Sequence, residues 1–247
     1  MTSKDFEFYP IYTYSASSTF NEWVKISCAD IEKLSDERGR DGIKHLFFYL
    51  NHPIRFVTVV APIVAIDDIN GKYVILILDD GSGATVSVKI KRRSITHAKN
   101  VEEHASNTLL DSVNVYSGPG KLDIKVGNTE LDIGTVVKTK CTITKFRQAN
   151  QLEAQRIWIV QSTKEEARAW SELTIWKNKI STPWLLSKRK LLKLEQEHKA
   201  EYQQLQEEND IYEKKMSIRK RRKAKQEAND EAKRLKLEKK MNQGALI

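Results

Sequence analysis

Four cations crowd a short stretch of this chain, Lys89, Lys91, Arg92 and Arg93, at the end of a run that alternates apolar and polar side chains. Three more, Lys145, Arg147 and Arg156, flank the polar turn Arg147-Gln-Ala-Asn-Gln151. Ammonium and guanidinium groups so placed can hold phosphate oxygens, and a neighbouring aromatic ring offers a face for a stacked nucleobase. Tyr73 and Trp158 are the candidate rings, which completes a candidate set of nucleic-acid contacts. A solvated basic face would use the same charges. Trp158, flanked by Ile157 and Ile159 on the opposite face of its strand, could equally be covered by a partner protein.

Lys220-Arg-Arg-Lys223, within Lys214 to Lys225, reads as a nuclear-import signal or a second nucleic-acid patch. Other chemistry finds no support. Asp79 and Asp80 miss the spacing of a calcium loop, and a hairpin turn accounts for them, so no metal is expected. No GxSxG, GxxxxGK[ST] or HExxH motif occurs, and neither Cys28 nor Cys141 has a Cys or His partner at ligand or catalytic spacing. The expectation is a non-enzymatic protein without cofactors. His52, before a proline at a strand start, reads as structural. No run approaches about 18 apolar residues, and the amino terminus lacks a basic region followed by an apolar one, so a soluble intracellular protein with no membrane partner is expected.

These side chains need a scaffold. With 40% hydrophobic residues the chain can bury a core, and its 42 Lys and Arg against 33 Asp and Glu favour a polyanionic partner. Ile54 to Ile66 is a β-branched run with Pro62 marking a bulge or edge; Asp67 to Gly71 turns it into Tyr73 to Leu78. After the turn Asp79-Asp-Gly-Ser-Gly83, the third strand places Ala84, Val86, Val88 and Ile90 on one side and Thr85, Ser87, Lys89 and Lys91 on the other. His97 to about Glu130 is polar and turn-rich and reads as a long surface connection with room for one short helix. Strands Ile133 to Phe146 and Leu152 to Val160 follow. Five such strands, then a helix, indicate a mainly β fold, the small Greek-key barrel called the OB-fold.

That helix starts at the overlapping capping boxes Ser162/Glu165 and Thr163/Glu166 and carries Ala167, Ala169, Trp170, Leu173, Trp176 and Ile180 as an apolar stripe. The stripe holds more large side chains than a small barrel end can cover, so Trp170, Leu173, Trp176 and Ile180 are the candidate partner interface. Beyond Pro183 no Gly or Pro occurs until Gly244, and 18 Lys and Arg against 11 Asp and Glu from Lys188 onward place +7 of the net +9 in a helical tail. Tyr202, Leu205, Asn209, Tyr212 and Met216 form a seam of two heptads there. The expected organisation is an aromatic arm over 1–50 packing on the barrel, the OB domain with its helix over 51–187, and the basic helix over 188–247.

Asn51-His52-Pro53-Ile54-Arg55-Phe56-Val57 followed by Leu78-Asp-Asp-Gly-Ser-Gly83 closely resembles the Stn-type subunit of the telomere-capping CST complex. So do Ile133-Gly-Thr-Val-Val-Lys-Thr-Lys, Lys145-Phe-Arg, Gln151-Leu-Glu, Glu165-Glu166-Ala-Arg-Ala-Trp170 and Pro183-Trp184. The similarity spans residues 8 to 187 and looks fungal; the middle subunit of replication protein A shares the hairpin but not the His-Pro-Ile-Arg motif. The resemblance implies a nuclear, telomeric protein that pairs with a small OB-fold (Ten-type) subunit and a large CST subunit. It also implies recruitment to G-rich single-stranded DNA and contact with DNA polymerase alpha and primase. A protein-only assembly module and a general replication-type single-strand binder are the alternatives. Many relatives continue into winged-helix domains where this chain has its basic helix, so a fragment or short variant is expected.

Overall fold

The structure, a computed structural model, describes residues 6–36, 43, 45–93, 107–118 and 121–244. It divides into two units, 1–186 and 187–247.

In the first unit a 3-10 turn (Ile11–Ala16) leads to β1 (Trp23–Lys25), α1 (Cys28–Glu32) and the hairpin β2 (Phe47–Tyr49) and β3 (His52–Ile54). Then come β4 (Phe56–Ile69), β5 (Tyr73–Asp79) and β6 (Thr85–Lys91). A small sheet of β7 (Val113–Gly118), β8 (Lys121–Val126) and β9 (Thr129–Leu131) precedes β10 (Val136–Phe146), β11 (Ala149–Ile159) and the helix α2 (Thr163–Ile180).

β4 makes the closed barrel possible. Its first half, Phe56 to Pro62, pairs antiparallel with β10, and its second half, Ile63 to Ile69, pairs with β5, with a bulge between Ile63 and Ala65 just after Pro62. The bulge bends one long strand into two edges, and proline costs least there because a ladder donor is already lost. β5 pairs with β6, β6 runs parallel to β11 through Val88↔Leu152 and Lys89↔Glu153, and β11 returns to β10. The ring β4-β5-β6-β11-β10 is the five-stranded OB barrel. β1 pairs parallel with Phe56 to Thr58 and covers the edge that β5 leaves open, which removes a free strand edge.

Side-chain alternation sends Val57, Val59, Val74, Leu76, Leu78, Val86, Val88, Ile90, Ile143 and Leu152 into the core. Cys28 and Cys141 lie buried and free, and burial pushes both thiols up to about 12, Cys28 with help from the Asp80 charge. Neither is a nucleophile at neutral pH. Asp80 accepts from the Cys28 N–H at 2.9 Å and Ser82 Oγ accepts from Ala29 N–H at 3.0 Å, so side chains of the hairpin turn satisfy the start of α1.

The expected surface connection from His97 to Glu130 is corrected in part. His97 to Ser106 lies outside the described residues, but 113–131 forms β7 to β9, with Val113, Val115, Ile124 and Leu131 buried in the main core and no helix among the described residues there. The aromatic arm is built into the unit: Phe8 lies 5.2 Å and Tyr14 5.7 Å from the Phe48 ring, and Tyr9 5.1 Å from Trp184.

The second unit is one helix, α3 (Lys188–Gly244), exposed along nearly its whole described length.

Candidate nucleic-acid interface

The parallel pairing of β6 with β11 decides the fate of the first cation group. It sets Glu153 opposite Lys89, and Glu153 bridges both Lys91 at 2.5 Å and Lys89 at 3.5 Å. Burial pushes the Glu153 carboxyl up, but the hydrogen bonds and charges of Lys91 and Lys89 outweigh it and hold it below the usual carboxylate range. Lys89 also stands 5.6 Å above the Tyr73 ring. Arg92 bridges Asp68 at 3.2 Å, Arg93 Nε donates to the Thr108 carbonyl at 2.7 Å, and Lys145 pairs with Asp36 at 2.8 Å. These five cations are anchored by the fold itself, and three of them, Lys91, Arg92 and Arg93, line a cleft of about 440 Å³ with Tyr73.

On the face built by β11, β10, β4 and β1, cations and rings alternate. Lys140 Nζ sits 6.0 Å from the Trp158 ring and 5.0 Å from the Trp23 ring. Trp23 leans on Phe56 at 5.0 Å, and the Arg55 guanidinium lies 5.0 Å from Phe56 and 5.1 Å from Phe20. Register explains the array, since Lys138 pairs with Trp158, Lys140 with both Arg156 and Thr58, and Trp23 with Phe56. Each cation–ring contact contributes about 0.5–1 kcal/mol when exposed, so the array is a firm platform rather than a set of loose side chains. Trp158 keeps 40% of its surface exposed. An open cleft of about 550 Å³ runs beside it, lined by Trp23, Phe56, Lys140, Glu153, Gln155 and Arg156. At the β10–β11 turn Phe146 is exposed, with the Arg147 guanidinium 5.3 Å above its ring.

The structure therefore brings Arg156 and Trp158 together and leaves Arg147 and Tyr73 at separate edges. Trp23, Lys140 and Phe146 escaped the reading of the sequence. Of the three, Phe146 left a signal there, as the ring between Lys145 and Arg147 before the turn.

The family model of telomere regulation protein Stn1 matches residues 7–242. The chain belongs to the Stn1 family. A crystal structure of yeast Stn1 and Ten1 resembles this Stn1-family chain with a TM-score of 0.53 at 15% identity, over 75% of this chain and 89% of that one, which supports the fold. The S. pombe Stn1-ten1 complex gives 0.45 at 22% identity over 65% of this chain and 94% of that one. A replication protein A heterotrimer bound to single-stranded DNA gives 0.43 at 12% identity over 65% and 98%. No curated protein matches the chain.

The motifs that carry the resemblance meet in space in this Stn1-family chain. Asn51 donates to the carbonyls of Glu7 at 3.0 Å and Trp184 at 2.8 Å and accepts from the Trp184 N–H at 2.7 Å. His52 Nε2 lies 2.7 Å from the Thr182 carbonyl. Asn-His-Pro and Pro-Trp are thus two halves of one clasp. A second tie joins α1 to α2: Asp30, 3% exposed, takes Lys177 Nζ and accepts from Tyr49 at 3.2 Å and Ser27 at 2.8 Å. Burial pushes the Asp30 carboxyl up, yet the bonds from Lys177, Ser27 and Tyr49 prevail and hold it low, while Asp30 and Tyr49 overcome burial to raise Lys177.

The expected partner interface on α2 needs correction at two positions. Ile180 is 1% exposed in the core and Trp176 packs against that core, because the stripe closes this chain's own barrel end. Leu173 lines a narrow cleft against β4 and β10, and Trp170 stays 56% exposed. The outer face of α2 centres on Ala167, Ser171, Thr174 and Asn178, with Trp170 on one flank and Ile175, 65% exposed, on the other.

Proposed function

We propose that this Stn1-family chain caps chromosome ends as the OB subunit of a CST-type complex, binding single-stranded G-rich DNA across its barrel. The observation that carries the reading is the platform of Trp158, Lys140 and Trp23 beside Arg156, rings and cations side by side on an exposed sheet face. Bases stack on such rings while phosphates track the cations. Arg147 with Phe146, and the Lys89, Lys91 and Tyr73 edge, extend the path. A small OB-fold (Ten-type) partner fits the outer face of α2, where small side chains between Trp170 and Ile175 admit a close helix. A large CST subunit, polymerase alpha and primase complete the reading, and Lys220 to Lys223 serve nuclear import. The Stn1 and Ten1 structures support the pairing as a family habit.

The test is co-expression with a small OB partner, size-exclusion, and titration of labelled G-rich single strands. Trp158→Ala with Lys140→Gln should weaken binding roughly tenfold or more, since a stacked base contributes about 1–3 kcal/mol. Unchanged affinity rejects the platform as the path. A protein-only assembly module is the second reading, and Glu153 favours it, because that carboxylate already occupies Lys89 and Lys91.

A further inference from the structure

Within α3 one segment has a charge distribution that the rest of the helix lacks. Elsewhere in α3 three cations are matched by acids one turn away: Lys193 with Glu197 at 3.5 Å, Lys199 with Glu195 at 2.7 Å, and Lys233 with Asp230 at 4.0 Å. From Lys214 to Lys225 the chain holds eight Lys and Arg and no acid. Lys223 alone in that stretch finds an ion pair among the described residues, with Glu227 beyond its end at 3.7 Å.

At about 3.6 residues per turn these cations point to every side of the helix. Lys214, Arg221 and Lys225 share one side, Lys223 lies opposite, and Lys215, Arg219 and Lys220 fill the flanks. The apolar members Met216, Ile218 and Ala224 project in three different directions, so no apolar face exists to enter a lipid surface. An acidic protein surface would engage one side and leave the others charged. Like charges three and four apart also oppose the free helix, so what neutralises them must do so all round.

We infer that Lys214–Lys225 of α3 is a binding site for double-stranded DNA, seated in the major groove with phosphates on both flanks. The dimensions agree. Twelve residues span about 18 Å at 1.5 Å each, and a helix about 10–12 Å across fits a groove about 12 Å wide. That length of duplex carries about ten phosphates against the segment's eight cations. The segment has no Asn or Gln, whose amides read adenine edges, so any base preference is confined to guanine edges within reach of Arg219, Arg221 and Arg222. This site is independent of the barrel platform, and either can fail alone.

The experiment uses the full chain and a blunt labelled duplex of about 20 base pairs, titrated by anisotropy between about 50 and 200 mM salt. Arg219→Gln, Lys220→Gln, Arg221→Gln and Arg222→Gln together keep helix propensity and remove four charges. The slope of log affinity against log salt should fall by about three to four, at about 0.9 per phosphate contact, with unchanged helical circular dichroism. Shuffled duplexes of the same base composition should bind about equally, and Lys89→Ala with Lys91→Ala should leave duplex binding intact. Unchanged affinity and slope in the four-Gln chain overturns the site. So does loss of duplex binding in the barrel variant, or capture of phosphatidylserine vesicles in preference to duplex.

Discussion

Glu153 is the residue whose chemistry most constrains the barrel. It stands between the two lysines that the strand pattern offers as phosphate ligands, and its depressed pKa means it stays ionised through the neutral range. A phosphate must compete with it. Glu153→Gln should therefore tighten single-strand binding by roughly 3- to 10-fold and steepen the salt slope by about one, at about 0.7 per phosphate contact. A titration that shows no change would favour the protein-only reading. His52 sets a second residue-scale test. Burial, aided by the Lys179 charge, outweighs the Thr182 carbonyl and holds its imidazolium below the ordinary range, and Nδ1 is buried without a hydrogen-bond partner. The unfolded chain then binds a proton more readily than the folded one, so stability is full above the unfolded pKa of about 6.5 and is lost as pH falls below it. Melting temperature should drop between about pH 7 and pH 5, and His52→Gln, though less stable, should be flatter across that window.

At the scale of elements, what was legible in the sequence follows from burial on one side. β6 alternates strictly, so its inward Val86, Val88 and Ile90 could be named; Val88→Asp should unfold the first unit, because a charge there has no partner. A soluble variant with an unshifted melting curve would refute that register. The Ser162 cap was legible because capping is local, and its Oγ does accept from the Glu165 N–H at 3.3 Å. β7 and β8 were hidden because Ser-Gly-Pro-Gly at 117–120 reads in the sequence as a turn signal that outweighs the alternation of Val113 and Val115 with Leu122 and Ile124. The Trp23–Lys140–Trp158 platform was illegible for another reason: it joins residues more than a hundred positions apart through the parallel pairing of β1 with β4. The stripe on α2 was visible, but no local rule says which part of it this chain covers itself. Trp170 and Ile175 are what remains outside, and Trp170→Ala with Ile175→Ala should abolish co-purification with a small OB partner while barrel circular dichroism is unchanged.

At the scale of the molecule, the first unit is closed by its own last residues. Thr182 and Trp184 hold His52 and Asn51, Trp184 packs in the cluster of Tyr14, Leu46 and Phe48, and the Leu186 N–H donates to the Tyr9 hydroxyl at 3.1 Å. A chain ending at Ser187 keeps every one of these bonds, whereas one ending at Ser181 keeps none. Losing two partners of buried polar groups costs about 1–3 kcal/mol each, and the missing tryptophan removes a further apolar contact. At about 2–4 °C per kcal/mol for a domain of this size, the shorter chain should melt roughly 10–15 °C below the longer one. The longer one should match the first unit of the full chain, read by near-ultraviolet circular dichroism so that the helix of α3 does not contribute. Equal melting of the two truncations would mean that the clasp between Asn-His-Pro and Pro-Trp holds no weight in the fold.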